Sequence, residues 1–71
     1  MKNIYPNLNS ELKARHLSFA KMAELIGMPK STMYRRLSGN TEWRLHEVLT
    51  ICGTLNLYDV HYLFLRLDNI S

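Results

Sequence analysis

The chain has 71 residues, 46% of them hydrophobic, and a formal net charge of +3. Such a length supports one domain with a modest core and excludes a fold that also encloses a deep substrate cavity. A single cysteine, Cys52, rules out an internal disulfide, and the longest apolar run falls far short of the roughly 20 residues of a membrane span, so a cytoplasmic protein held together by apolar packing is expected.

The first helix is predicted by Ile4, Leu8 and Leu12, which recur every four residues, with Asn7 or Asn9 as N-cap and an end near Arg15 or His16. Ser18 then caps a second helix whose Phe19, Met22, Ala23 and Ile26 share one face. Gly27 can take the positive φ that closes a helix, and Pro29 suits the first turn of the next, so the connection is short and tight. A third helix, from about Pro29 to Ser38, turns Met33 and Leu37 inward and Lys30, Ser31, Tyr34, Arg35 and Ser38 outward. After a polar corner, Leu45, Val48, Leu49, Cys52 and Leu55, with Ile51, predict a fourth helix to about Thr54. Val60, Leu63, Phe64 and Leu67 predict a short fifth one, with Asp59 at its N-terminus. The fold class is therefore all-α with five short helices, in a single domain over 1–71.

Charge is distributed unevenly along this plan. Residues 1–41 hold Lys2, Lys13, Arg15, Lys21, Lys30, Arg35 and Arg36 against Glu11 and Glu24, whereas from residue 42 onward Arg44 and Arg66 face Glu42, Glu47, Asp59 and Asp68. One end of the molecule attracts phosphate. Helices 2 and 3, over about 18–38, have the form that lets one helix cross the DNA backbone while the next enters the major groove, where base edges offer acceptors to Lys and Arg.

Several segments in order carry a resemblance: Tyr5-Pro6-Asn7-Leu8, the run Met22 to Gly27, the third helix of K-S-T-x-Y-R-R-L-x-G kind, Trp43-x-Leu45-x-Glu47-Val48, and Tyr62-Leu63-Phe64. Together they resemble the Cro/CI-type helix-turn-helix family, specifically short phage repressor and Cro-like regulators, over nearly the whole chain. The resemblance implies a lambda-repressor-like DNA-binding fold in which Lys30, Ser31, Tyr34 and Arg35 read bases and Thr32 lies by the sugar-phosphate wall. Ser18, Lys21, Arg36, Asn40, Thr41 and Arg44 complete the expected backbone contacts. Two departures stand out: Phe19 occupies the place of a Gln that braces phosphate in relatives, and Arg36 replaces an apolar residue, its stem covering the core edge while its guanidinium reaches a phosphate.

The implied function is a sequence-specific regulator of transcription that occupies an operator on double-stranded DNA in a bacterial host cell. Because one recognition helix reads only a few base pairs, a homodimer on DNA is expected. Tyr58, Val60, Tyr62, Leu63 and Phe64, within a segment of about 57–67, are the candidate dimer or partner interface; a second repressor protein is the alternative partner. His16, His46 and His61 share no helical face and no carboxylate completes a ligand set, so neither metal nor cofactor is expected. Without a Gly-rich phosphate loop, a nucleophile elbow or a carboxylate pair, the chain is not read as an enzyme. Trp43 and the methionines are assigned to packing, and Cys52 to the core.

Overall fold

The structure, a computed structural model, describes residues 3–67; Lys2 and Asp68 of the charge pattern lie outside them. Five helices follow one another without a strand among the described residues: α1 Pro6–Ala14, α2 Phe19–Ile26, α3 Lys30–Leu37, α4 Leu45–Leu55 and α5 Val60–Leu63. α2 packs on both α3 and α4, while α1 packs on α5. Between them lie Leu8 and Leu12 of α1, Met22 and Ala23 of α2, Met33 and Leu37 of α3, Val48, Ile51, Cys52 and Leu55 of α4, and Leu63 of α5, all buried.

Helix ends are set by local chemistry. Ser18 caps α2, its Oγ accepting from the Lys21 N–H at 3.0 Å. α1 differs from expectation: Tyr5 is its N-cap and Pro6 opens the helix, where a missing N–H costs nothing, so Asn7 and Asn9 lie inside it. Asn7 instead donates from Nδ2 to the Tyr62 carbonyl at 2.9 Å, tying α1 to α5.

The four longer helices close in one manner. A left-handed residue, His16, Gly27, Gly39 or Asn56, follows each of them. The next N–H reaches back five residues, Leu17 to Leu12, Met28 to Ala23, Asn40 to Arg35 and Leu57 to Cys52, satisfying a carbonyl that the helix leaves open. Leu17, Met28 and Leu57 then pack on the core, so three of the four turns also deliver an apolar side chain, while the one after α3 ends on the exposed Asn40. Gly39 is needed twice over, since a Cβ there would lie 2.8 Å from Ile4 Cδ1.

Ile4 joins the chain's distant parts. Its N–H donates to the Leu37 carbonyl at 3.0 Å, and its own carbonyl accepts from the Leu67 N–H at 2.7 Å. Nearby, Tyr5, Trp43 and Phe64 meet edge to face, with ring centroids 5.3–6.1 Å apart. Trp43 thus has the packing role read from its position.

Two expectations change. The apolar stripe of α4 is rotated: Leu45 and Leu49 face solvent, while Val48, Ile51 and Leu55 face the core and Glu47 is buried beside them. Leu63 and Phe64, expected at a dimer or partner interface, turn inward. Leu63 is fully buried in its own subunit's core, and Phe64 is held in the ring cluster. α5 is a single turn, capped by Asp59 through the Tyr62 N–H at 3.1 Å, because burying Leu63 and Phe64 inward needs no more.

Candidate nucleic-acid interface

The tight turn between α2 and α3 positions the site. Gly27 adopts φ 73°, and Pro29 at ψ 144° directs the chain into α3, its carbonyl receiving the Met33 N–H at 3.0 Å. Burying Met33 and Leu37 leaves Lys30, Ser31, Tyr34 and Arg35 on one continuous exposed face. Among the described residues neither Lys30 nor Arg35 forms an ion pair with a carboxylate. The first turn of α3 carries no acidic residue either, so the partial positive charge of its N-terminus adds to that of Lys30.

Arg36 takes a different course from the one expected. Its Nε donates to Glu47 Oε1 at 2.7 Å, its Nη2 to Oε2 at 2.9 Å, and its Nη1 to Thr41 Oγ1 at 2.8 Å. The side chains are only 11% and 10% exposed, so this cation is spent on internal contacts rather than held out to a phosphate. Glu47 Oε1 also accepts the Arg44 N–H at 2.8 Å, at the start of α4. Burial alone would push the Glu47 carboxyl up; the Arg36 guanidinium and the Arg44 N–H outweigh it and hold it below its ordinary 4.5. One carboxylate therefore fixes α3, the Asn40–Arg44 corner and α4 to one another.

The remaining expected contacts fall around this frame. Asn40, Thr41 and Arg44 are exposed past the end of α3, and Arg44 has no ion-pair partner among the described residues. Ser18 and Lys21 are exposed at the start of α2, with Lys21 Nζ 3.4 Å from Glu24. Phe19, in the place of the bracing Gln, packs against the core. Thr32 is turned away from the Lys30–Arg35 face and lines a small pocket of about 140 Å³ with Met28, His46 and Thr50.

Sequence reasoning missed the Arg36–Glu47 pair, because the partners lie 11 residues apart on different helices. Their shared signal, a charge at a position otherwise read as core edge, becomes legible only once the rotation of α4 is known. It also missed the brace on the other side of the molecule. Arg15 bonds Glu11 Oε1 at 2.7 Å and the Leu55 carbonyl at 3.1 Å, and the Tyr62 hydroxyl donates to Glu11 Oε2 at 2.7 Å. Hydrogen bonds from Arg15 and Tyr62 hold the Glu11 carboxyl below its ordinary range, and the same contact raises the Tyr62 phenol.

An all-helical domain with a glycine turn between two short helices, the second buried on one side and cationic on the other, is a helix-turn-helix DNA-binding domain. The sequence model of the Cro/C1-type HTH DNA-binding domain matches residues 7–57. This chain belongs to that family. The matched span covers both helices of the motif and α4, and stops short of α5. No curated protein and no solved structure matches the chain. Among the described residues no helix is long and apolar enough to cross a membrane.

Proposed function

We propose that the protein is a sequence-specific transcriptional regulator of the phage Cro or repressor kind, which occupies an operator as a pair of copies and excludes polymerase from a promoter inside a bacterial host cell. The observation that carries this reading is the α3 face: Lys30, Ser31, Tyr34 and Arg35 are exposed together, with no carboxylate paired to either cation among the described residues. Those four side chains read base edges. Ser18, Lys21, Asn40, Thr41 and Arg44 hold the backbone on either side, and Thr32 serves the wall of the pocket rather than the DNA. The molecule measures 33 × 24 × 23 Å, a size that suits one copy per half-site with half-sites about 34 Å, one helical turn, apart.

The test is fluorescence anisotropy on duplexes from the DNA flanking the protein's own gene and on a random duplex, across a salt series. A marked preference for one flanking duplex is expected, with log affinity falling against log salt by about 2 per copy, one counterion each for Lys21 and Arg44. Equal affinity for all duplexes, or none near physiological salt, would overturn the reading in favour of a module that contacts a second repressor protein.

A further inference from the structure

We propose that Arg66, on the segment that follows α5, is a further contact to the DNA backbone: its guanidinium stands beside the Asn40–Arg44 corner and takes a phosphate there, with Glu42 as the carboxylate that holds it when no DNA is bound. The proposal rests on the operator reading above and adds to its gripping set a residue outside the family-matched span of residues 7–57.

Past residue 44 the sequence holds a single Lys or Arg, and it is Arg66. The fold returns this cation to the end of α3. Its Nη1 donates to Glu42 Oε1 at 3.3 Å, 24 residues away in sequence, and its Nη2 lies 3.2 Å from where a Cβ on Gly39 would stand, so the guanidinium rests against the glycine backbone in the turn that closes α3. The partial negative charge of a helix C-terminus favours a cation at that place. The segment that carries Arg66 is fixed on both sides: Phe64 meets Tyr5 and Trp43 edge to face, and the Leu67 N–H donates to the Ile4 carbonyl at 2.7 Å. The side chain is thus presented from a rigid mount, which leaves little ordering to be done when a phosphate arrives.

Glu42 stands among the gripping residues Asn40, Thr41 and Arg44 with its side chain 82% exposed, where a carboxylate alone would repel phosphate. Arg66 neutralises it, and at 28% exposure the guanidinium is still open to solvent on one side. An ion pair this open exchanges readily for another partner, and a phosphate accepts a guanidinium in the same forked geometry as a carboxylate does. Arg36 differs: it is enclosed, bound to both oxygens of Glu47 and to Thr41, and stays where it is. Of the two arginines that brace the corner from other elements, Arg36 is the fixed one and Arg66 the exchangeable one.

The test follows the full chain by anisotropy on a random duplex across a salt series, with Arg66→Gln, Glu42→Gln and the double variant. One phosphate contact adds about 0.9 to the slope of log affinity against log salt, here on top of those of Lys21 and Arg44. Arg66→Gln should lower the slope by that amount, so that between about 50 and 200 mM salt it loses about 3.5-fold less affinity than wild type. The same decrease should appear when Arg66→Gln is made on the Glu42→Gln background. That comparison separates contact from neutralisation: if Arg66 only screens Glu42, its removal no longer changes the slope once the carboxylate is gone, and the proposal is overturned. Glu42→Gln alone should bind more tightly than wild type, since it releases Arg66 to the phosphate; unchanged or weaker binding would contradict the exchange. Arg66→Lys keeps the charge and should keep the slope, and a decrease equal to that of Arg66→Gln would assign the effect to packing on Gly39 instead. A protein that binds no duplex fails the operator reading and this contact with it, whereas one that selects a flanking duplex with a slope indifferent to residue 66 loses only this contact.

Discussion

Removing the Glu47 carboxylate should cost far more than a surface charge. Glu47→Ala leaves Arg36, 11% exposed, without the two bonds of 2.7 and 2.9 Å that neutralise it, and frees the Arg44 N–H at the start of α4. An uncompensated, nearly buried guanidinium costs about 3 kcal/mol, and the lost helix cap about 1 kcal/mol more. A 71-residue domain has roughly 4–10 kcal/mol in total, so the variant should sit near its unfolding limit at room temperature. Urea denaturation at neutral pH, followed by fluorescence of Trp43 in its ring cluster, measures the loss. The double variant Arg36→Leu/Glu47→Leu should regain most of it, because removing both charges also removes the desolvation cost. Acid should reproduce the effect. Since Glu47 titrates below its ordinary 4.5 in the folded state, its contribution is complete above that value and disappears as pH falls through the lower folded one. The fall in urea midpoint below pH 4.5 should thus be shallower in Glu47→Gln than in wild type. A single variant within 1 kcal/mol of wild type, or a double variant no better than the single, would refute the argument.

Three further outcomes are expected. Gly39→Ala should destabilise by about 2 kcal/mol or more and clearly exceed Gly27→Ala at about 1 kcal/mol: both hold a positive φ, but only Gly39 would bring a Cβ against Ile4, and thermal melts of the two variants compare them directly. His16→Gly should stabilise by about 1 kcal/mol, because φ 57° strains a residue with a Cβ, and should raise the melting temperature by roughly 4–8 °C; an unchanged or lower value would mean that the His16 side chain contributes more than its strain costs. On DNA, Lys30→Ala and Arg35→Ala should each cost about 1–3 kcal/mol on the preferred duplex and relax one position, whereas Arg44→Ala should weaken all duplexes alike; identical losses on preferred and random DNA for all three would remove the division between reading and gripping.

Much of the motif was legible because its signals are local. Ser18, Gly27 and Pro29 act on residues within a few positions of themselves, so the limits of α2 and α3 follow from short-range chemistry. Periodicity gave α4 its length but not its rotation: Leu45 and Leu49 fit an apolar stripe as well as Ile51 and Val48 do, and only packing against α2 decides which arc turns inward. The same limit misplaced Leu63 and Phe64, whose apolar character serves a core and an interface equally well. Arg36 was misread because its partner lies on another helix. Lys30, Ser31, Tyr34 and Arg35 could be grouped from spacing alone, since their common exposure follows from burying Met33 and Leu37.

The backbone of Ile4 has a consequence for synthesis. Its N–H can engage the end of α3 once residue 37 exists, but its carbonyl waits for Leu67, and the ring cluster around Tyr5 and Trp43 waits for Phe64. A chain emerging from the ribosome therefore holds the partners of α3 on α2 and α4 before it holds the residue that closes the second bond of Ile4. The two bonds of one residue thus join the end of α3 to the segment after α5, so that residues 37 and 67 are held through a single residue near the start of the chain.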